Sequence, residues 1–415
     1  MACLLWEQTF YENGVDIAQR IADLVPEVSQ EIASAIAIEA RTQMNMRHVP
    51  LLIAREMARE GGELVGSTIE AVIQRADELA EFLSIYWIGR KKHTLSAQVK
   101  KGLARAFGKF DAYQLAKYNR DGAVKLRDVL FLTHAKPKDE AQALIWKQLI
   151  DGKLPVPDTW ETALSAGKDK ALTFIDLILE RKIGGLAMLR NLRNMQQAGV
   201  EDVIIRQGIK EMNVSRILPF RFVAAARYAP TLEDALEEAM FKTTAMLPKL
   251  PGEVTVLVDT SGSMRDSISE KSDMRRFDAA NALAAIIREM SEHAHVYSFS
   301  DTIVAIPPRR GFALMDAIMK SQPHSGTQLG AAARACHDAH PKSLLIAITD
   351  EQSHDMVVAH DRGYLINVAA YQHGVGYGKG WTHIDGFSES VVRYIVANEN
   401  LGKPQQKEEE GGDED

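Results

Sequence analysis

The feature that most constrains the fold is a change of hydrophobic period at Pro251-Gly252, inside a chain of 415 residues. Before that point apolar residues recur at helical spacing in segment after segment, and no run alternates as a strand does. Segments such as Ser67–Trp87, Ser96–Phe107, Ala112–Tyr118, Leu126–His134 and Trp160–Ala166 read as helices. Paired helices without a tight sequence repeat imply an α-solenoid of HEAT type. After Gly252, short β-rich runs (Val254–Val258, His295–Phe299, Ser343–Ile348, Tyr364–Ala369) alternate with helical stretches (Phe277–His293, Phe312–Lys320, Gln328–His337, Phe387–Asn398). That alternation implies a largely parallel sheet covered on both faces. The expected architecture is two-domain: an all-α HEAT-like repeat over 1–250, a doubly wound, Rossmann-like α/β domain over 251–400, and a disordered acidic tail over 401–415.

Charge divides along the same line. Residues 1–250 hold 34 Lys and Arg against 32 Asp and Glu; residues 251–400 hold 13 against 18, and the tail 2 against 6. The net charge of −7 therefore sits in the C-terminal part and does not exclude a polyanionic partner for the helical part. Between Arg90 and Arg127 there are 11 basic residues against 2 acidic ones. In the stretch Leu95–Phe110, Leu95, Val99, Leu103, Phe107 and Phe110 form one apolar stripe, which leaves Lys101, Arg105 and Lys109 on another face. No Glu stands at the spacing that would pair with them locally. Lys100, Arg120, Lys125 and Arg127 lie in the same region, and a weaker basic stretch carries Arg190 and Arg193. Uncompensated cationic faces suit a phosphate backbone; a solvated face paired with acids from elsewhere fits the charge equally well.

Asp259, Ser261 and Ser263 follow the apolar run Val254–Val258 directly. Their spacing lets one carboxylate and two hydroxyls converge from a single turn at the carboxyl end of a strand, where ligands of open α/β sheets bind. Thr327 precedes a helix and Asp350 ends a later strand. Five such oxygens suit a hard divalent cation, Mg²⁺ first, with Mn²⁺ or Ca²⁺ as alternatives. The competing reading is a strand-to-helix turn in which Ser and Asp cap the next helix.

These residues carry a resemblance. The Asp259, Ser261, Ser263, Thr327, Asp350 pattern resembles the metal-ion-dependent adhesion site of von Willebrand factor A domains, which implies that a partner's carboxylate takes the metal's open position. Leu95–Tyr118 (LSAQVKKGLARAFGKFDAYQLAKY), Val124–Pro137 (VKLRDVLFLTHAKP), Gly185–Arg193 (GLAMLRNLR) and Arg216–Phe222 (RILPFRF) resemble the TROVE module of the Ro autoantigen family, of the short bacterial or phage type. The order of the two modules is also that family's layout. The resemblance implies a ring of HEAT-type repeats closed by the A domain. It implies Y-like small non-coding RNA on an outer basic surface and single-stranded ends of misfolded RNA in the ring, for RNA quality control. It further implies a tethered 3′ exoribonuclease such as polynucleotide phosphorylase. Lys117 and His134 match positions that the family uses for Y RNA. The chain departs from the family in its abbreviated start (Leu4–Phe10) and brief loops.

Other classes are disfavoured. Cys3 and Cys336 are too few and too far apart for a disulfide scaffold and point to a reducing compartment. No apolar run reaches the ~18 residues that span a bilayer, and no secretory pattern opens the chain, so a cytoplasmic monomer is expected. No HExxH or phosphate-loop motif occurs, and the glycines Gly374, Gly376, Gly378 and Gly380 lack a dinucleotide context, so no enzyme is expected. Cys336, His337 and His340 are metal-capable but lack a fourth ligand in sequence, and Tyr113, Tyr118, Phe107 and Trp87 are expected in the core. The rival function is a protein–protein scaffold that captures an acidic partner at the metal site, with incidental basic helices.

Overall fold

The computed structural model describes residues 14–89, 94–155, 169–215, 217–268, 274–351, 353–360, 362–368, 380–386 and 389–401. The expectations at Cys3, Leu4–Phe10, Trp160–Ala166, Gly374, Gly376, Gly378 and the tail from 402 lie outside the described residues. The chain divides between residues 169 and 170 into two compact units.

The first unit holds α1 (Gly14–Leu24), α2 (Gln30–Thr42), α3 (His48–Glu60), α4 (Val65–Val72), α5 (Ala76–Tyr86), α6 (Ala97–Phe107), α7 (Ala112–Tyr118), α8 (Leu126–Thr133) and α9 (Glu140–Ile150). The single helix expected over Ser67–Trp87 is two. Arg75 adopts an extended backbone at the start of α5, and the buried Glu78 reaches back to accept from the amides of Gln74 (2.8 Å) and Arg75 (3.0 Å). Its other oxygen accepts from Arg41 at 2.7 Å, and Arg41 also donates to the freed Val72 carbonyl at the end of α4 (2.9 Å). The break is therefore made by a buried, fully bonded carboxylate, which hydrophobic periodicity does not register.

α6 starts at Ser96, whose hydroxyl accepts from the Val99 amide, and α7 at Asp111, which forms a capping box with Gln114. The expected stripe is buried: Val99, Leu103 and Phe107 are fully enclosed and Phe110 nearly so. Phe107 meets Trp146 of α9 edge-on at 5.3 Å. Against α4 the approach is so close that a Cβ on Gly102 would lie 2.7 Å from the Gly66 carbonyl oxygen. Gly102 thus sets the distance between the two helices.

The second unit begins with α10 (Lys170–Leu179), α11 (Gly185–Gln197), α12 (Asp202–Glu211), α13 (Phe220–Tyr228) and α14 (Glu233–Ala245). It continues through β1 (Leu250–Asp259), α15 (Arg276–Met290), β2 (Ser291–Phe299), β3 (Ile303–Ala305), α16 (Gly311–Met319), α17 (Leu329–Ala339), β4 (Leu344–Thr349), β5 (Gly363–Asn367), β6 (Trp381–Asp385) and α18 (Glu389–Leu401). The strand order is β3-β2-β1-β4-β5-β6, parallel except for β3. Val254, Val256 and Val258 face one apolar layer with α15, α16 and α18; Leu257 faces the other with Leu345, Leu365 and α17. The sheet is covered on both faces, as its apolar runs require.

The period changes at Leu250, but packing groups α10–α14 with the sheet. Phe220, Ala224 and Leu247 pack on the sheet's core. The Glu237 carboxylate accepts from the Phe312 amide at 2.7 Å, and Arg310 stacks on Phe241 at 4.6 Å. Two elements escaped the sequence reading: α13, and the polar edge strand β6, which has no apolar run. The helix expected to reach His293 stops at Met290, with β2 following at once. No helix among the described residues is long and apolar enough to cross a membrane.

Gly102→Val should force α6 off α4 and destabilise the first unit by about 1–3 kcal/mol. A chemical denaturation midpoint equal to that of the wild type would show that the helices do not meet there.

Candidate functional sites

The basic residues of α6–α8 split into committed and exposed groups. Arg105 pairs with Glu70 of α4 at 2.7 Å. The Lys109 ammonium donates to the Ile73 carbonyl (2.5 Å) and to that of Glu70, at the C-terminal end of α4. Burial pulls the Lys109 pKa below the usual lysine range. Both therefore brace α6 against α4, although their stems reach solvent. Lys125 pairs with the exposed Asp121 at 2.6 Å, and Arg127 lies 3.9 Å from Asp128. Lys101, Lys117 and Arg120 are exposed, and Lys100 is half-buried.

Two aromatic side chains interleave with these cations. Tyr113, expected in the core, is 47% exposed, and the Lys117 ammonium lies 5.5 Å over its ring. Phe131 is 58% exposed. It stands four residues after Arg127, so the two share one side of α8. Phe107 and Trp87 are buried as expected. His134 is exposed and ends α8 in the left-handed conformation, φ 53°. Arg190 and Arg193 are exposed on α11 of the second unit.

At the carboxyl end of the sheet the five expected oxygen donors sit on adjoining turns. Asp259 is fully buried; one of its oxygens accepts from the Ser261 amide at 2.8 Å, the other from the Thr349 hydroxyl at 2.6 Å. The Ser261 and Ser263 hydroxyls are 3.2 Å apart. The Gly262 amide donates to the Ser325 carbonyl at 3.0 Å, which brings the loop of buried Thr327 against this turn. Asp350 is fully buried and accepts from Arg276 at 2.9 Å; the same guanidinium donates to the Ser263 carbonyl at 3.2 Å. Burial and then the neighbouring Asp350 carboxylate push the Asp259 carboxyl up to about 7. Thr349 and Arg276 were not singled out in sequence. Thr349 could have been, as the neighbour of Asp350; Arg276 left no signal, because its role is set by where α15 begins.

The donor set fits a hard divalent cation. It offers two carboxylates and three hydroxyls and no nitrogen or sulfur, and the repulsion between the carboxylates is what a cation relieves. Cys336, His337 and His340 do not converge. Cys336 faces the core and burial pushes its thiol up to about 12; His337 faces His360 at 3.3 Å; His340 turns to Glu253 at 3.1 Å. The His354 amide donates to the Thr327 carbonyl at 2.8 Å.

Comparison with known proteins bears on both units. The TROVE domain family matches residues 150–292. Telomerase protein component 1 of Mus musculus is 37% identical over 90 residues, which is 20% of this chain and 3% of that protein. The same protein of Rattus norvegicus is 36% identical over 90 residues. The chain thus spans about 3% of the length of these relatives. The crystal structure of the Deinococcus radiodurans Ro (RSR) protein shares the fold, with a TM-score of 0.68 at 17% identity over 91% of this chain and 92% of that one.

The raised Asp259 carboxyl carries a sign. In the unfolded chain it ionises near 3.8 and in the folded one near 7, so its contribution to stability is complete below the lower value and falls as pH rises to the upper. In chelator, the stability of wild type relative to Asp259→Asn should decline between those limits. A difference constant over that range would contradict the pairing.

Proposed function

From the TROVE family match over residues 150–292 and the fold shared with a Ro protein, we propose that this chain is a non-catalytic RNA-binding protein of a ribonucleoprotein. The observation that carries the proposal is the set of exposed cations and rings in and around α7 and α8: Lys117 over Tyr113, Arg120 after α7, and Arg127, Phe131 and His134 on and at the end of α8. Lysine and arginine supply salt-dependent attraction to phosphate with little sequence preference. His134 supplies a hydrogen bond to a base or a 2′-hydroxyl, and the exposed rings supply stacking for unpaired bases. A folded small RNA of Y type, with duplex phosphates and open loops, offers all three partners. Lys100, Lys101, Lys125, Arg190 and Arg193 extend the cationic surface within their own units. Arg105 and Lys109 act by fixing α6.

The pocket of Asp259, Ser261, Ser263, Thr327 and Asp350 is proposed as a separate contact. When bound there, Mg²⁺ would present an open coordination position to a carboxylate of a protein partner, which is the basis of a scaffold role beside RNA binding. A 3′ exoribonuclease held through the RNA or through this pocket would make the assembly act in RNA quality control.

The test is fluorescence anisotropy with a folded small RNA over a salt series. Lys117→Ala should lower affinity and reduce the slope of log K against log salt by about 1. The histidine is best replaced by glycine, which keeps the left-handed cap without strain. His134→Gly should lower affinity and leave the slope unchanged. A wild-type affinity insensitive to salt, or both variants binding as wild type, would reject the assignment.

A further inference from the structure

At the opposite end of the sheet from Asp259, side chains from three elements converge. Glu253 lies near the start of β1, His295 in β2, and His340 directly after α17. The extended strand between Glu253 and Asp259 separates the two places by about 20 Å. Glu253 Oε1 is 2.7 Å from His295 Nε2 and 3.1 Å from His340 Nδ1. One nitrogen or oxygen from each residue lies within 4.8 Å of the other two. The imidazoles stack with centroids 3.8 Å apart and planes at 19°.

The surroundings hold the third residue in place. His340 Nε2 is 2.9 Å from the Tyr297 hydroxyl. The His340 carbonyl accepts from the Ser343 amide (3.1 Å) and hydroxyl (2.9 Å), and that hydroxyl is 2.8 Å from the Thr255 hydroxyl. A simple ion pair needs one imidazole. Here a single carboxylate oxygen faces two, and two stacked imidazolium rings would repel each other.

We infer that Glu253, His295 and His340 form a second metal site, distinct from the oxygen-lined pocket, that takes Zn²⁺ through two imidazole nitrogens and one carboxylate oxygen. Two histidines and a glutamate are an established zinc ligand set, whereas Mg²⁺ and Ca²⁺ select oxygen. Around a tetrahedral zinc with bonds of roughly 2.0–2.1 Å, neighbouring ligand atoms stand about 3.3 Å apart; the two carboxylate–imidazole spacings here are 2.7 and 3.1 Å. A cation enters with small side-chain rotations that splay the stacked rings. Tyr297 accommodates it because its hydroxyl can donate or accept. With Nδ1 on the metal, Nε2–H donates to Tyr297 and fixes the ligating tautomer. Glu253 and His295 are 38% and 41% exposed, which gives the ion access and leaves a fourth position to water. The local run of Cys336, His337 and His340 hides this site, since two of its ligands come from distant strands.

The test is calorimetric titration of the untagged, chelator-stripped full chain with Zn²⁺ in the presence of Mg²⁺. One equivalent should bind in wild type, in Asp259→Ala and in His383→Asn, which removes the imidazole of a separate group of metal-capable side chains, Glu351, His383 and Asp385. The double variant His295→Asn, His340→Asn should lose at least about 100-fold in affinity, and Tyr297→Phe about 10–100-fold. Glu253→Gln, which keeps a hydrogen-bonding side chain, should also bind Zn²⁺ more weakly. Co²⁺ should give tetrahedral visible bands in wild type, Asp259→Ala and His383→Asn and lose them in the double variant. Absence of Zn²⁺ binding, equal binding by the folded double variant and Glu253→Gln, or loss in Asp259→Ala or His383→Asn instead would overturn the inference.

Discussion

Burial of one face of α6 against α4 governs what the helical unit shows to solvent. Val99, Leu103, Phe107 and Phe110 leave water together, each at a gain of about 1.5–3 kcal/mol. Gly102 lets the helix backbones approach until nothing larger fits. Once that face is fixed, the 3.6-residue period keeps the lysines and arginine of α6 out of it, with Lys101 exposed and Arg105 turned to Glu70 of α4. Arg105 and Lys109 then add polar bracing at the end of α4, and the following helices carry the remaining cations outward.

The second unit depends in the same way on one strand. β1 is paired along both edges, with β2 and β4, and covered on both faces. Such a strand cannot shift register by one residue without moving its valines into the other layer and losing their packing. It therefore presents a carboxylate near each end, Asp259 among oxygens and Glu253 among imidazoles. The two ends differ in chemistry because different loops meet them: hydroxyl-rich turns at the carboxyl end, and a histidine-bearing strand and helix end at the other.

Much of this was legible from sequence where the signal is local. The stripe of α6, the change of period at Pro251-Gly252 and the Asp259, Ser261, Ser263 turn each lie within a few consecutive residues. What was not legible depends on distant partners. Lys109 looked like any solvent-facing lysine, because the α4 carbonyls that take its ammonium are 36 and 39 residues away. Tyr113 looked like core because an aromatic on an amphipathic helix usually is. His340 looked like part of a helical Cys and His motif, whereas its partners Glu253 and His295 are brought in by the sheet. The grouping of α10–α14 with the sheet was hidden because helices carry the same period whatever they pack against.

The central claim is that the exposed cations and rings of α7 and α8 are where RNA lies. Ultraviolet crosslinking of the full chain to a bound, folded small RNA, followed by peptide mass spectrometry, tests it most directly. Adducts on peptides holding Tyr113 and Phe131 are predicted. Adducts confined to residues 250–401, with none on those peptides, would contradict it.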